Sequence, residues 1–218
     1  MNLIHGPLIV PPAHKERAEA MYPSDLGKNE RKAGHMVTYM DAIVGRILDK
    51  LEALGLDKDT LVIFTGDNGG AGNLTSQLGD FHLSGGKRTM NEARTRIPLI
   101  ARWPGKIPSG ERRSFFSLMD ILPTLASVSN IPLEHEVDGL NLSHNLLDTP
   151  GKDRTHFAMA FEGNVYFVRD ERFRLHEDGR FYEVPLTSNR SRYNMTPLKP
   201  NQFPEQRQQL QKRLDAFM

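Results

Sequence analysis

The chain has 218 residues and no cysteine. That absence excludes a disulfide scaffold, a thiolate-ligated zinc or iron–sulfur site, and a cysteine nucleophile within it. Charge of one sign is missing too, with 28 Lys+Arg facing 27 Asp+Glu for a formal net of +1. No global field therefore directs the chain to nucleic acid or to an anionic membrane. No apolar run approaches the roughly 18 residues of a membrane span. The start, Met1-Asn2-Leu3-Ile4-His5-Gly6-Pro7, carries neither a basic segment nor a long apolar one. No secretory signal is expected there, and the location stays unknown. Internal repeats are also absent. What is present, 38% hydrophobic and 25% charged residues, is ordinary for a globular protein. The length allows one large domain or one domain with an appendage.

The clearest regularity is helical. Val37, Met40, Val44, Ile47, Leu51 and Leu54 recur at spacings of 3 and 4, lining one face of a helix expected over residues 32–54, with Gly55 as its left-handed stop. Leu61-Val62-Ile63-Phe64 is a continuous apolar run, the texture of a strand buried on both faces in a parallel sheet. Its carboxyl end delivers Thr65-Gly66-Asp67-Asn68-Gly69-Gly70, and open α/β sheets build their sites at such ends. A loop over 71–96, a second buried strand over 97–102 and a helix over 117–128 follow, with Pro123 marking a kink or an early turn. Leu3-Ile4 reads as the end of a strand, and residues 13–20 as a short helix. From about residue 155 short alternating segments appear, at 157–161, 165–168, 173–176 and 180–184. Glu162-Gly163-Asn164 and Glu177-Asp178-Gly179 separate them as hairpin turns, and a helix over 204–217 closes the chain. The expected division is an α/β part over 1–150 and a small antiparallel subdomain over 151–218.

Three constellations carry chemistry. In the run from Thr65 to Gly70, Asp67 offers a carboxylate and Asn68 an amide oxygen, hard donors of the kind Ca²⁺ or Mg²⁺ takes. Asp-Asn-Gly is also strong turn chemistry, so a ligand pair and a plain turn both stand. Further on, Gly85-Gly86-Lys87 holds a lysine on a glycine pair, able to aim a point charge at an anionic oxygen. Its neighbourhood is basic, with Lys87, Arg88, Arg94, Arg96, Arg102, Lys106, Arg112 and Arg113 against Glu92 and Glu111; the alternative is a solvated basic face. Ser84-Gly85-Gly86-Lys87 lacks the upstream glycine and the following Ser/Thr of a P-loop. His5 precedes Gly6-Pro7 and is either a donor to a leaving oxygen or anion, or a capping or surface residue. The same two readings apply to His82.

Together and in this order, the stretches resemble the formylglycine-dependent (type I) sulfatases of the alkaline phosphatase superfamily. His5-Gly6-Pro7 looks like that family's His-x-Pro turn, and Asp41-Ala42-Ile43-Val44-Gly45 like its Asp-x-x-Val-Gly helix. Leu61 to Gly70 resembles its strand ending in Ser-Asp-Asn-Gly. Gly85-Gly86-Lys87 through Glu92, Arg96 and Pro98 resembles its Gly-Gly-Lys-x-x-x-x-Glu-Gly-Gly-x-Arg-Val-Pro stretch. Asp120 to Thr124 and Asp138-Gly139 look like its Asp-x-x-Pro-Thr helix and following Asp-Gly. The resemblance covers about residues 3–150.

This resemblance implies an α/β fold: part of an alkaline-phosphatase-like sheet with flanking helices, then a small C-terminal antiparallel sheet and a terminal helix. It implies Asp67 and Asn68 as metal ligands, with Ca²⁺ the default and Mg²⁺ the alternative. Lys87 and His5 would contact the sulfate group as catalytic and substrate-binding residues. The substrate implied for the complete enzyme is a sulfated small molecule or a sulfated glycan. Gly66 stands where the family has Ser, and Ala93-Arg94 replace two glycines. The family's Cys-x-Pro-Ser-Arg motif, whose oxidised residue is the nucleophile, and its paired aspartates belong to an amino-terminal half with no counterpart here. The expectation is a carboxyl-terminal portion of a sulfuric ester hydrolase, inactive alone, with an amino-terminal half as partner and neither nucleic acid nor membrane. A phosphonate or phosphodiester hydrolase relative and a noncatalytic anion- or partner-binding module are the alternatives.

Overall fold

The computed structural model describes residues 3–22, 24–72, 74–78, 81–90, 92–112, 114–161, 165–184 and 195–218, the side chains of 76–78 and 81–84 excepted. The expected turn at Glu162-Gly163-Asn164 lies outside the described residues.

Two helices open the chain, α1 (Lys15–Met21) and α2 (Lys28–Ala53). Gly34 of α2 lets the helix press against Tyr22, whose ring would lie 2.8 Å from a Cβ at that position. The stop is the expected one. Gly55 takes φ +67, and the amides of Gly55 and Leu56 donate to the carbonyls of Glu52 and Leu51, a Schellman closure that glycine adopts without steric cost. Leu3-Ile4 forms a turn rather than a strand end. Pro7, which has no amide to donate to a ladder, follows three residues after Ile4.

Strand β1 (Val62–Thr65) pairs with β4 (Leu99–Arg102). The pairing is antiparallel, Val62 opposite Arg102 and Thr65 opposite Leu99, which corrects the expected parallel arrangement. A continuous apolar run encodes burial on both faces and carries no information on the direction of its neighbours. Burial is also only partial: β1 is half-buried, and Ile100 is 61% exposed. The span read as a loop contains a hairpin, β2 (Thr75–Leu78) with β3 (Phe81–Ser84), and a one-turn helix, α3 (Glu92–Thr95). Helix α4 (Ile121–Val128) follows a 3-10 turn over Leu118–Asp120. Pro123 falls in its first turn, where no intrahelical N–H is required, so it starts the helix rather than kinking it. After α5 (Ser143–Leu147) the texture changes as expected.

Strands β5 (Phe157–Phe161), β6 (Val165–Arg169), β7 (Phe173–His176), β8 (Phe181–Glu183) and β9 (Thr196–Pro197) form one antiparallel sheet in sequence order. Alternation divides its residues. Val168, Phe173, Leu175 and Phe181 pack with Leu210 and Leu214 of α6 (Pro204–Phe217) as the main apolar core. Phe167, Arg169, Arg174 and His176 occupy the opposite face, toward the α/β part, where Arg169 reaches Glu92. Among the described residues the core therefore sits in the C-terminal sheet. The α/β part leaves Ile47, Leu54, Leu122 and Ile131 largely exposed.

His176 is 2% exposed, and among the described residues neither ring nitrogen has a hydrogen-bond partner. Burial, reinforced by Arg174 and Arg180 and opposed by Asp178, pushes it down to about 4. The unfolded chain titrates near 6.5 and binds the proton more readily across that window, so stability falls as pH drops from about 6.5 to 4. The expected loss is on the order of 3 kcal/mol. Urea melts at pH 7 and pH 4.5 check it, and His176→Phe, which leaves no proton to take up, flattens the dependence.

Candidate functional site

The carboxyl end of β1 leads into the loop Gly66 to Gly70, and two close backbone approaches shape it. Thr65 Oγ1 donates to the Pro98 carbonyl at 2.8 Å, tying the strand end to β4. Gly69 N–H donates to the Arg94 carbonyl at 2.8 Å, and a Cβ on Gly69 would stand 1.7 Å from the Ala93 carbonyl oxygen. The Gly70 carbonyl accepts both the Gly86 and Lys87 amides at 2.9 Å. A Cβ on Gly85 would lie 1.9 Å from the Ala71 carbonyl oxygen. These glycines permit contacts that any side chain would block. The structure thus brings the Asp67-Asn68 loop against the Lys87 loop, although twenty residues of sequence separate the two.

Asp67 is exposed, and Asn68 and Lys87 are half-buried. Lys87 makes no ion pair among the described residues, so its ammonium is not committed to a structural partner. Several of the basic neighbours are held by local partners. Arg96 pairs with Glu92, Arg112 with Asp148, Arg94 stacks on Phe161, and Lys106 on Trp103; Arg113 lies outside the described residues. His5 sits elsewhere. It is exposed, its Nδ1 lies 2.8 Å from the Gly6 carbonyl, and it lines a cleft of about 530 Å³ with Ile9, Pro11, Met36 and Tyr39. Asp67, Asn68 and Lys87 do not line that cleft. The side chain of His82 lies outside the described residues.

Two buried carboxylates have roles that the sequence reading left unassigned. Glu92 is fully buried; its Oε2 accepts from Arg96 Nε at 2.9 Å and from Arg169 Nη1, while Arg174 Nη1 stands 3.5 Å from Oε1. Burial lowers the pKa of Arg174 to about 10 against the pull of Glu92. Asp120, also fully buried, takes a two-pronged pair from Arg154 and the amides of Ser117 and Leu140 at 2.8 and 2.7 Å. Thr124 Oγ1 accepts from Leu142 N–H at 3.0 Å, and a Cβ on Gly139 would meet the Met119 carbonyl at 1.9 Å. The Asp-x-x-Pro-Thr and Asp-Gly motifs therefore pin a loop to a helix start. The available signal was charge inside apolar strands: Arg169 ends Val165–Arg169, and Arg174 stands between Phe173 and Leu175.

The sulfatase family model matches residues 4–131. The chain belongs to the sulfatase family. Human arylsulfatase A is 36% identical over 151 residues, which are 66% of this chain and 30% of that protein. A Bacteroides thetaiotaomicron protein solved in a study of glycosaminoglycan metabolism covers 100% of this sulfatase chain and 48% of its own, with a TM-score of 0.73 at 22% identity. The phosphonate monoester hydrolase of Agrobacterium radiobacter superposes with a TM-score of 0.61 at 22% identity, over 86% of this chain and 40% of its own. The last two likenesses show the fold alone. The matched region spans about a third of the curated relative.

Sulfatases generally use a metal ion. The donors in the Asp67-Asn68 loop are of the kind a hard divalent cation takes, and the close backbone approaches at Gly69 and Gly85 hold that loop in place. Their number falls short. Among the described residues no group of three or more His, Asp or Glu converges as a metal site, whereas Ca²⁺ takes about 6–8 oxygens.

Proposed function

We propose that this chain is the carboxyl-terminal portion of a sulfuric ester hydrolase and supplies part of its metal and sulfate site. The observation that carries the reading is the docking of the Asp67-Asn68 loop onto the Gly85-Gly86-Lys87 loop through the Gly70 carbonyl, in a chain of the sulfatase family. Asp67 and Asn68 would hold the ion, Ca²⁺ by default, and Lys87 would meet a sulfate oxygen. When bound, the ion supplies electrostatic stabilisation of the charge that develops on sulfate oxygens. Lys87 adds a fixed positive charge from a loop held by two backbone hydrogen bonds, so little reorganisation is needed as that charge grows. His5 would serve the leaving oxygen, which requires its segment to close onto the loop. The substrate class is a sulfated small molecule or glycan. The remaining ligands and the nucleophile come from an amino-terminal half, whose place is consistent with the exposed Ile100 on β4 and the uncovered Ile47 and Leu54 at the end of α2. The division into parts 1–150 and 151–218 belongs to this proposal.

The test is an assay with a chromogenic sulfate ester and, in parallel, a phosphonate ester. The chain alone is expected to turn over neither, because its residues position and polarise but do not attack. Saturable sulfate ester turnover by the isolated chain that disappears in Asp67→Ala would overturn this division of labour.

A further inference from the structure

We infer that Glu92 and Arg169 are positioning residues for the metal and sulfate loop, so that the C-terminal sheet belongs to the same cooperative unit as the site. The inference rests on the reading of Asp67, Asn68 and Lys87 given above. The path is continuous. Arg169, at the end of β6, donates to Glu92 Oε2, and Arg174, its partner across the ladder, faces Glu92 Oε1 at 3.5 Å. Glu92 starts α3, whose single turn cannot hold its own conformation in water. Two neighbours in that turn meet the loop: the Arg94 carbonyl accepts Gly69 N–H at 2.8 Å, and the Ala93 carbonyl presses where a Cβ of Gly69 would be. Gly70, next along, accepts both the Gly86 and Lys87 amides. Arg94 adds a second tie to the sheet by stacking on Phe161 of β5 at 4.0 Å.

The buried carboxylate is surrounded by Arg96, Arg169 and Arg174. Loss of Glu92 leaves the buried Arg169 and Arg174 uncompensated, and loss of Arg169 removes the donor that ties Glu92 Oε2 to β6; either change drives rearrangement around α3. Because the Glu92 cluster is the buried ion-pair anchor of α3 among the described residues, the rearrangement is transmitted to Gly69 and from there to Lys87. A sheet far from the Asp67 loop in sequence thereby fixes the position of the lysine.

Native-state hydrogen exchange on the intact wild-type chain tests this. The amides of Gly69, Gly86 and Lys87 are expected to open with the denaturant dependence of the Phe167 to Arg169 strand amides, as one cooperative unit. In Arg169→Gln they are expected to exchange at least about tenfold faster, with less change at the α6 amides of Leu210 and Leu214. Arg169→Lys, which keeps the charge, restores part of the protection. Denaturant-independent exchange at Gly69 and Lys87 in the wild type, or equal acceleration at α6 and the loop in Arg169→Gln, would overturn the inference. The exchange result holds whether or not calcium binds, and a failure to bind calcium bears on the metal reading alone.

Discussion

Asp120→Ala is expected to destabilise the chain by about 3–5 kcal/mol, the range for breaking a buried ion pair by removing one partner. The carboxylate is inaccessible to solvent, and the Arg154 side chain facing it is 9% exposed. Both oxygens are fully used: Arg154 Nε donates to Oδ2 at 2.9 Å and Nη2 to Oδ1, with Ser117 N–H on one oxygen and Leu140 N–H on the other. Alanine strands a guanidinium and two amides at once, and the loop carrying Gly139 loses its anchor to α4. Urea titration gives the magnitude. Asp138→Ala, an exposed neighbour in the same stretch, is expected to stay within about 0.5 kcal/mol.

The second large effect is steric. Gly69→Ala places a Cβ 1.7 Å from the Ala93 carbonyl oxygen and 2.9 Å from the Arg94 Cα. Both obstacles are backbone atoms, so no side-chain rotation relieves the overlap, and the Gly69 to Arg94 hydrogen bond must break. A loss of about 3 kcal/mol is expected, the upper end for overpacking, together with altered amide resonances at Gly86 and Lys87. Gly70→Ala is the control. Its nearest neighbour is the Gly85 Cα at 3.9 Å, ordinary contact, so its melting temperature is expected to stay near that of the wild type.

These two cases show what was legible in the sequence. The period of α2, its glycine stop and the hairpins from Phe157 onward are local, and each element lies close to its expected span. The helix over Pro204–Phe217 matches its expected span. The direction of β1 was not legible, because pairing with Arg102 through Leu99 depends on a partner more than thirty residues away. Nor was the exposure of Ile47 and Leu54, since periodicity identifies an apolar face but not what covers it. For the site, residue types gave the loop and the lysine, and only the fold shows that the Gly70 carbonyl joins them. The Glu92 cluster escaped because its carboxylate and two of its arginines are 77 and 82 residues apart.

The most direct measurement is calorimetric titration of calcium into the chain combined with an amino-terminal half of a family member, in wild type, Asp67→Ala and Lys87→Ala. Alone, the chain is expected to bind calcium in the millimolar range or more weakly, because two side chains offer about three of the 6–8 oxygens required. In the assembled pair the added carboxylates should tighten the ion and raise the stability of the pair by mass action. Asp67→Ala should abolish that gain. Lys87→Ala should leave calcium affinity intact or slightly improved, since it removes a neighbouring cation, while weakening sulfate binding. Calcium binding as tight in assembled Asp67→Ala as in the wild type would make Asp67 a turn residue and contradict the metal assignment.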